Sequence, residues 1–184
     1  MGCSPKDGDS IMAIIEAIET VYLEADAASV TFDSLGAYEH LRIHISGQSN
    51  YDNSTAAYPL IEFNGDTSST CWTYRVEGYG TTVGNNAASR TPGGYCGRTA
   101  NAYRQSDTFG GTLVTILDYR SALKNPTIQT VSTTTGNSTT SQINMMQMDE
   151  GGAITEIKIL IAAGGGGTAW RRGTTMSLYG IKSS

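Results

Sequence analysis

Ala153-Ile-Thr-Glu-Ile-Lys-Ile-Leu-Ile-Ala-Ala163 is the stretch that decides the fold class. In its first half Ile154, Glu156, Lys158 and Leu160 oppose Thr155, Ile157, Ile159 and Ile161, and its second half is apolar on both sides. Such a period-two run marks a strand that is half-solvated at one end and buried at the other. Gly164 to Gly167 follow, then Thr168-Ala-Trp-Arg-Arg-Gly173 and a second β-rich run, Thr174-Thr-Met-Ser-Leu-Tyr-Gly-Ile-Lys182. Two such runs about a glycine-rich connection read as a hairpin, or as neighbouring strands that close a sheet.

The same signal recurs upstream. Glu39-His-Leu-Arg-Ile-His-Ile-Ser-Gly47 alternates cleanly, with Leu41, Ile43 and Ile45 toward the core and His40, Arg42, His44 and Ser46 away from it. Tyr58–Phe63 and Cys71–Val76 read as two strands, joined as a hairpin by Asn64-Gly65-Asp66, where Asn and Gly both tolerate positive φ. Gly110–Tyr119 is a further strand, and Thr127–Ser132 and Gln142–Met148 read as another hairpin. Ser29–Asp33 and Glu19–Glu24 are short strands, and Ser10 would cap a helical turn or two that set Ile11, Ile14, Ile15 and Ile18 on one face. Regular patterning stops between Gly84 and Gly111, which reads as one long loop. The expected fold is all-β: a single jelly-roll-like β-sandwich over 19–184 behind a short N-terminal arm, 1–18, with a short helix in the arm. Its expected core includes Leu41, Ile43, Ile45, Leu117, Ile157, Ile159 and Leu178.

Composition agrees with that class. The 184 residues suit one domain, with 22 glycines and only 16% charged residues. No apolar run spans a bilayer, and the N-terminus lacks the basic region of a secretion signal. Cys3, Cys71 and Cys96 have no metal-like spacing and read as reduced thiols. The net charge of −5 resides entirely before Ala27, so the body is neutral and lacks the basic stripe that nucleic acid requires.

The chemistry-bearing patterns are few. The chain has no Gly-x-Ser-x-Gly elbow, no His-Glu-x-x-His and no phosphate loop. His40 and His44 share a strand face, but four residues of strand separate them by roughly 13 Å, too far to share one ion. We therefore expect no catalytic residues, no metal site and no cofactor. The candidate partner-contact residues are Arg90, Tyr95, Arg98, Tyr103 and Arg104. They sit in a stretch of local charge +2 within an acidic protein, and they are residue types that interfaces enrich.

An ordered set of segments resembles the β-rich virion structural proteins of tailed bacteriophages. Ser29-Val-Thr-Phe-Asp-Ser-Leu35 and Tyr38-Glu-His-Leu-Arg-Ile43 look like that family's opening strands. Phe63-Asn-Gly-Asp-Thr67 with Trp72 and Tyr74 looks like its central hairpin. Thr115-Ile-Leu-Asp-Tyr119, Ala153-Ile-Thr-Glu-Ile157 and Gly173–Lys182 look like its second half. Gly36-Ala37 stands where the family commonly has Pro-Gln, and 90–103 has no counterpart there. The resemblance implies a non-enzymatic virion protein made in the host bacterial cytoplasm, on the capsid surface or the tail. Capsid decoration (cement) is the first reading, with a tail-fibre or receptor-binding component and a carbohydrate-binding module as alternatives. The partners so implied are copies of itself, with a trimer in view, and the major capsid protein or other virion proteins. Nucleic acid and membrane are not expected partners, and a glycan would be one only in the carbohydrate-binding case.

Overall fold

The computed structural model describes residues 14–51, 57–68, 71–91, 93–102, 107–134, 140–149, 152–162 and 168–182, with the backbone alone at Tyr79 and 86–91. The described strands, in chain order, are β1 (Ile14–Tyr22), β2 (Ser29–Phe32), β3 (His40–Ser49), β4 (Pro59–Phe63), β5 (Cys71–Tyr79), β6 (Thr82–Thr91) and β7 (Gly94–Tyr95). They continue as β8 (Ala100–Asn101), β9 (Gly110–Leu117), β10 (Thr127–Thr134), β11 (Thr140–Met148), β12 (Ile157–Ile161) and β13 (Thr175–Lys182). One sheet runs β1-β13-β3-β9-β10-β11-β5-β6, with β8 beside the end of β3; the second runs β2-β12-β4-β7. The protein is an all-β sandwich of jelly-roll-like type, antiparallel except where β8 meets β3.

The core lies where the smaller sheet covers the larger. Leu41 and Ile43 of β3, Val114 and Ile116 of β9 and Met176 and Leu178 of β13 face Phe32, Ile61, Ile157 and Ile159, all essentially out of water. Trp170 closes one end. Its main chain bridges Ala27 and Ser49, and its indole N–H donates to the Ile159 carbonyl at 3.3 Å. A Cβ at Gly47 would lie 2.6 Å from that indole ring, so only glycine lets β3 pass beneath it.

Four expectations are corrected. β12 and β13 belong to different sheets, so the connection between them crosses the sandwich and is not a hairpin loop; Gly164 to Gly167 lie outside the described residues. The same holds for β4 and β5. Asn64 does adopt φ +54°, but its side chain accepts from the Thr155 and Glu156 amides (2.7 and 3.2 Å) and donates to the Ala153 carbonyl (3.0 Å). The turn is therefore clamped to the lead-in of β12, and the next strand leaves for the other sheet. Residues 14–18 are strand and not helix, because β13 offers them a partner, Ile14 opposite Lys182 and Ile15 opposite Ile181; residues 1–13 lie outside the described ones. Leu117 points outward and is 41% exposed, since the inward positions of β9 are the even-numbered ones. The remaining expected core residues are buried, and β10 and β11 pair as expected, Thr127 opposite Gln147 through Thr134 opposite Thr140.

At the sheet edge, Glu16 of β1 accepts from the Tyr38 hydroxyl at 2.9 Å and the Lys182 ammonium at 3.4 Å, while that ammonium lies 4.7 Å from the Tyr38 ring centre. The Tyr38 hydrogen bond, then the Lys182 charge, hold the Glu16 carboxyl below its ordinary value. Its contribution is thus fully present above the ordinary carboxylate range and is lost as pH falls through the depressed value.

Two measurements check this account. Ile116→Ala should cost about 2–5 kcal/mol in urea unfolding and Leu117→Ala less than about 1; equal costs would contradict the parity of β9. On acidification, hydrogen-exchange protection should fall in β1 before β3, and simultaneous loss would show that Glu16 does not secure the edge.

Candidate functional site

The candidate contact residues do not form one loop. Between Gly84 and Gly111 the chain completes β6, adds β7 to the small sheet and β8 to β3, and enters β9. What looked unpatterned is chain paired with distant strands: Cys96 N–H donates to the Pro59 carbonyl (2.9 Å), Thr99 N–H to Ala57 (3.0 Å) and Ala102 N–H to Tyr51 (3.1 Å). Residues 93–102 thus form a strap laid over the inner face of β5, β10 and β11. Arg90 sits in β6 with its backbone opposite Trp72. Tyr103 and Arg104 lie outside the described residues.

Tyr95 and Arg98 are brought together through Tyr58. The Arg98 guanidinium is 3.3 Å from Glu77 Oε2 and lies 5.4 Å from the Tyr58 ring centre. Tyr58 in turn meets Tyr95 edge-on, at 6.0 Å and 72°. The same Glu77 oxygen accepts from the Gln142 side-chain amide and has Arg75 Nε at 3.6 Å. The Arg98 main-chain N–H donates to Ser132 Oγ at 3.2 Å. Gly97, at φ +118°, comes so close that a Cβ there would fall 2.1 Å from Ser132 Oγ. Arg98 therefore fastens the strap to the sheet. Sequence reasoning found Arg98 and missed Glu77 and Gln142, which meet only because β5 and β11 pair, Glu77 opposite Gln142.

Two further groups bear on chemistry. Glu39, His40 and Asp118 place ligand atoms within 4.8 Å of one another. However, His40 Nδ1 accepts the Asp118 main-chain N–H (3.0 Å), and Lys124 Nζ lies 2.8 Å from Asp118 Oδ2. That Lys124 hydrogen bond holds the Asp118 carboxyl below its ordinary range, so the trio is already engaged by the chain's own groups. His44 packs instead on Tyr179, with ring centres 4.9 Å apart. Cys71 and Cys96 are buried free thiols; burial first of all raises both, Cys71 to about 11, which leaves them protonated and unreactive at neutral pH.

A further exposed surface is the outer face of the same sheet region. Val131, Ile143, Met145, Tyr74 and Val76 are exposed there on β10, β11 and β5. Val131 stands opposite Ile143, Ile143 opposite Val76, and Met145 opposite Tyr74. Scattered exposed apolar residues are ordinary, whereas a contiguous set across three strands marks a contact surface. Nothing in the residue types of β5, β10 or β11 identified it beforehand, because each strand alternates and the alternation does not say which side is in. Among the described residues no helix is long and apolar enough to cross a membrane.

Replacing Glu77 by Gln should destabilise the fold by about 1–3 kcal/mol in urea, since Arg75 and Arg98 then lose their shared anion in a half-buried place. An unchanged midpoint would mean that the strap is held by its backbone bonds alone.

No protein-family model matches the chain, and no curated protein sequence matches it. Among solved structures, an alginate lyase, Aly36B, aligns over 96% of this chain and 82% of its own at 12% identity, with a TM-score of 0.28. A likeness at that score transfers no role to this chain.

Proposed function

We propose that this chain is a non-enzymatic structural protein of a phage virion, set on the capsid as a decoration protein and working through protein–protein contact. The observation that carries the reading is the exposed apolar face of β10, β11 and β5, a surface suited to assembly. The ordered segments that resemble virion proteins supply the setting: Ser29–Leu35, Tyr38–Ile43 and Phe63–Thr67 in the first half, Thr115–Tyr119, Ala153–Ile157 and Gly173–Lys182 in the second. Copies of the chain and the major capsid protein are the proposed partners. A tail-fibre or receptor-binding component shares the same surface requirement and differs in copy number.

A carbohydrate-binding module is the second reading, favoured by Tyr74, 56% exposed on a flat sheet face where a sugar ring can stack. Saturable hits on a glycan array that vanish in Tyr74→Ala would replace the first reading with this one.

Quantitative mass spectrometry of purified virions tests the main reading. Hundreds of copies per particle are expected for decoration, a handful would move the protein to the tail, and its absence from particles would overturn the proposal.

A further inference from the structure

The far half of the larger sheet is inverted. On β11 the inward side chains are Thr140, Gln142 and Asn144 before Met146 and Met148, while Ile143 and Met145 point out. On β10, Thr130, Ser132 and Thr134 are buried and Val131 is exposed. On β5, Arg75 and Glu77 turn in, and Tyr74 and Val76 turn out. A one-residue change of parity would reverse every one of these placements, and the strap over the inner face explains why the polar side is in. Nothing in the fold explains why the outer side is apolar.

That side is also poor in charge: the Asp149 carboxylate, which accepts from the Trp72 indole N–H at 2.8 Å, lies at its end. The outward positions of β5, β9, β10 and β11 hold no Asp, Glu, Lys or Arg, in a chain that is 16% charged. Its centre is a cross-strand row, Leu113, Val131, Ile143 and Val76, each directly opposite the next. Met145 and Tyr74 form the start of a second row beside it.

We propose that this face packs against the same face of a second copy of the chain, as a two-fold sheet-on-sheet dimer. Area supports this occupant. With strands about 4.8 Å apart and about 3.3 Å per residue, the four charge-free strands span roughly 500 Å². Two copies then bury roughly 1,000 Å² between them, about the least that a specific contact takes. Charge supports it too. An apolar face set on a charged surface strips water from groups it cannot pair, whereas a second copy brings a surface equally poor in charge. The contact is isologous, so one patch supplies both halves, and a two-fold axis along the row sets Ile143 against Ile143. Sheets so stacked lie about 10 Å apart with their side chains interdigitated.

This inference rests on reading the face as an assembly surface, and it differs from the virion proposal in what would defeat it. Sedimentation velocity on the whole chain should show a dimer at micromolar concentration that tightens with added salt, because screening relieves the repulsion between two chains of net charge −5. Ile143→Lys and, separately, Val131→Lys should weaken association at least about a hundredfold with an unchanged far-ultraviolet circular dichroism spectrum. A parent chain that stays monomeric at every concentration and salt, or a dimer that survives both substitutions in the folded protein, would overturn the dimer. A monomeric parent whose binding to particles is lost in Ile143→Lys would also overturn it while leaving the virion reading intact. A dimer lost on substitution, with no copies in virions, would uphold the dimer and remove the virion reading.

Discussion

Among the described residues, eight strands in a row, with a ninth at the end of one of them, face a sheet of only four, and that inequality governs the rest of the structure. The small sheet can bury β13, β3 and β9 behind Phe32, Ile61, Ile157 and Ile159, and there it builds an apolar core. Beyond β9 only its edge strand β7 continues, and β7 is part of the strap. The inner face of β10, β11 and β5 is closed by the strap, whose backbone brings N–H and C=O groups that need partners. Buried Thr130, Ser132, Gln142 and Asn144 supply a polar lining, with Asn144 donating to Thr130 Oγ1 at 2.7 Å and Ser132 accepting from Arg98. Glu77 then anchors Arg98 and Arg75, so a fold that begins as an oily sandwich ends as a hydrogen-bonded one.

Much of this was legible in the sequence where a strand lies in the apolar half. β3, β12 and β13 declared most of their inward residues, because Leu41, Ile43 and Ile45, then Ile157, Ile159 and Ile161, then Met176 and Leu178 share one face each, although β12 covers only Ile157–Ile161 of the run from Ala153 to Ala163. Sheet membership was not legible. Asn64-Gly65 encodes a backbone bend, and the bend is there, but whether the chain folds back on itself or crosses to the other layer depends on Ala153–Glu156, about ninety residues away. Leu117 failed for a related reason: Leu113 and Leu117 lie on one side of β9, Val114 and Ile116 on the other, and only the packing chooses.

The candidate site was half legible. Arginine and tyrosine between Gly84 and Gly111 did signal a concentration of interaction, yet the partner of Arg98 is internal. No sequence window holds Glu77, Arg98 and Gln142 together; strand pairing assembles them. The exposed face was hidden by the same physics in reverse, since Gln142-Ile-Asn-Met145 has a polar set and an apolar set in strict alternation, and the ordinary assumption sends the apolar set inward.

The pairing of β1 with β13 has a consequence for how the chain reaches this state. Ile14 lies opposite Lys182 and Tyr22 opposite Thr175, so the first described strand meets its only described neighbour after everything between Tyr22 and Thr175 has been made. A strand of three exposed or half-exposed isoleucines, Ile14, Ile15 and Ile18, therefore waits without a partner during synthesis. Contacts that span so much chain are entropically slow to form, and unpaired strands are the sites at which chains join wrongly. Glu16 and Glu19 put negative charge into that waiting strand, and like charges on neighbouring nascent chains keep such strands apart until β13 arrives.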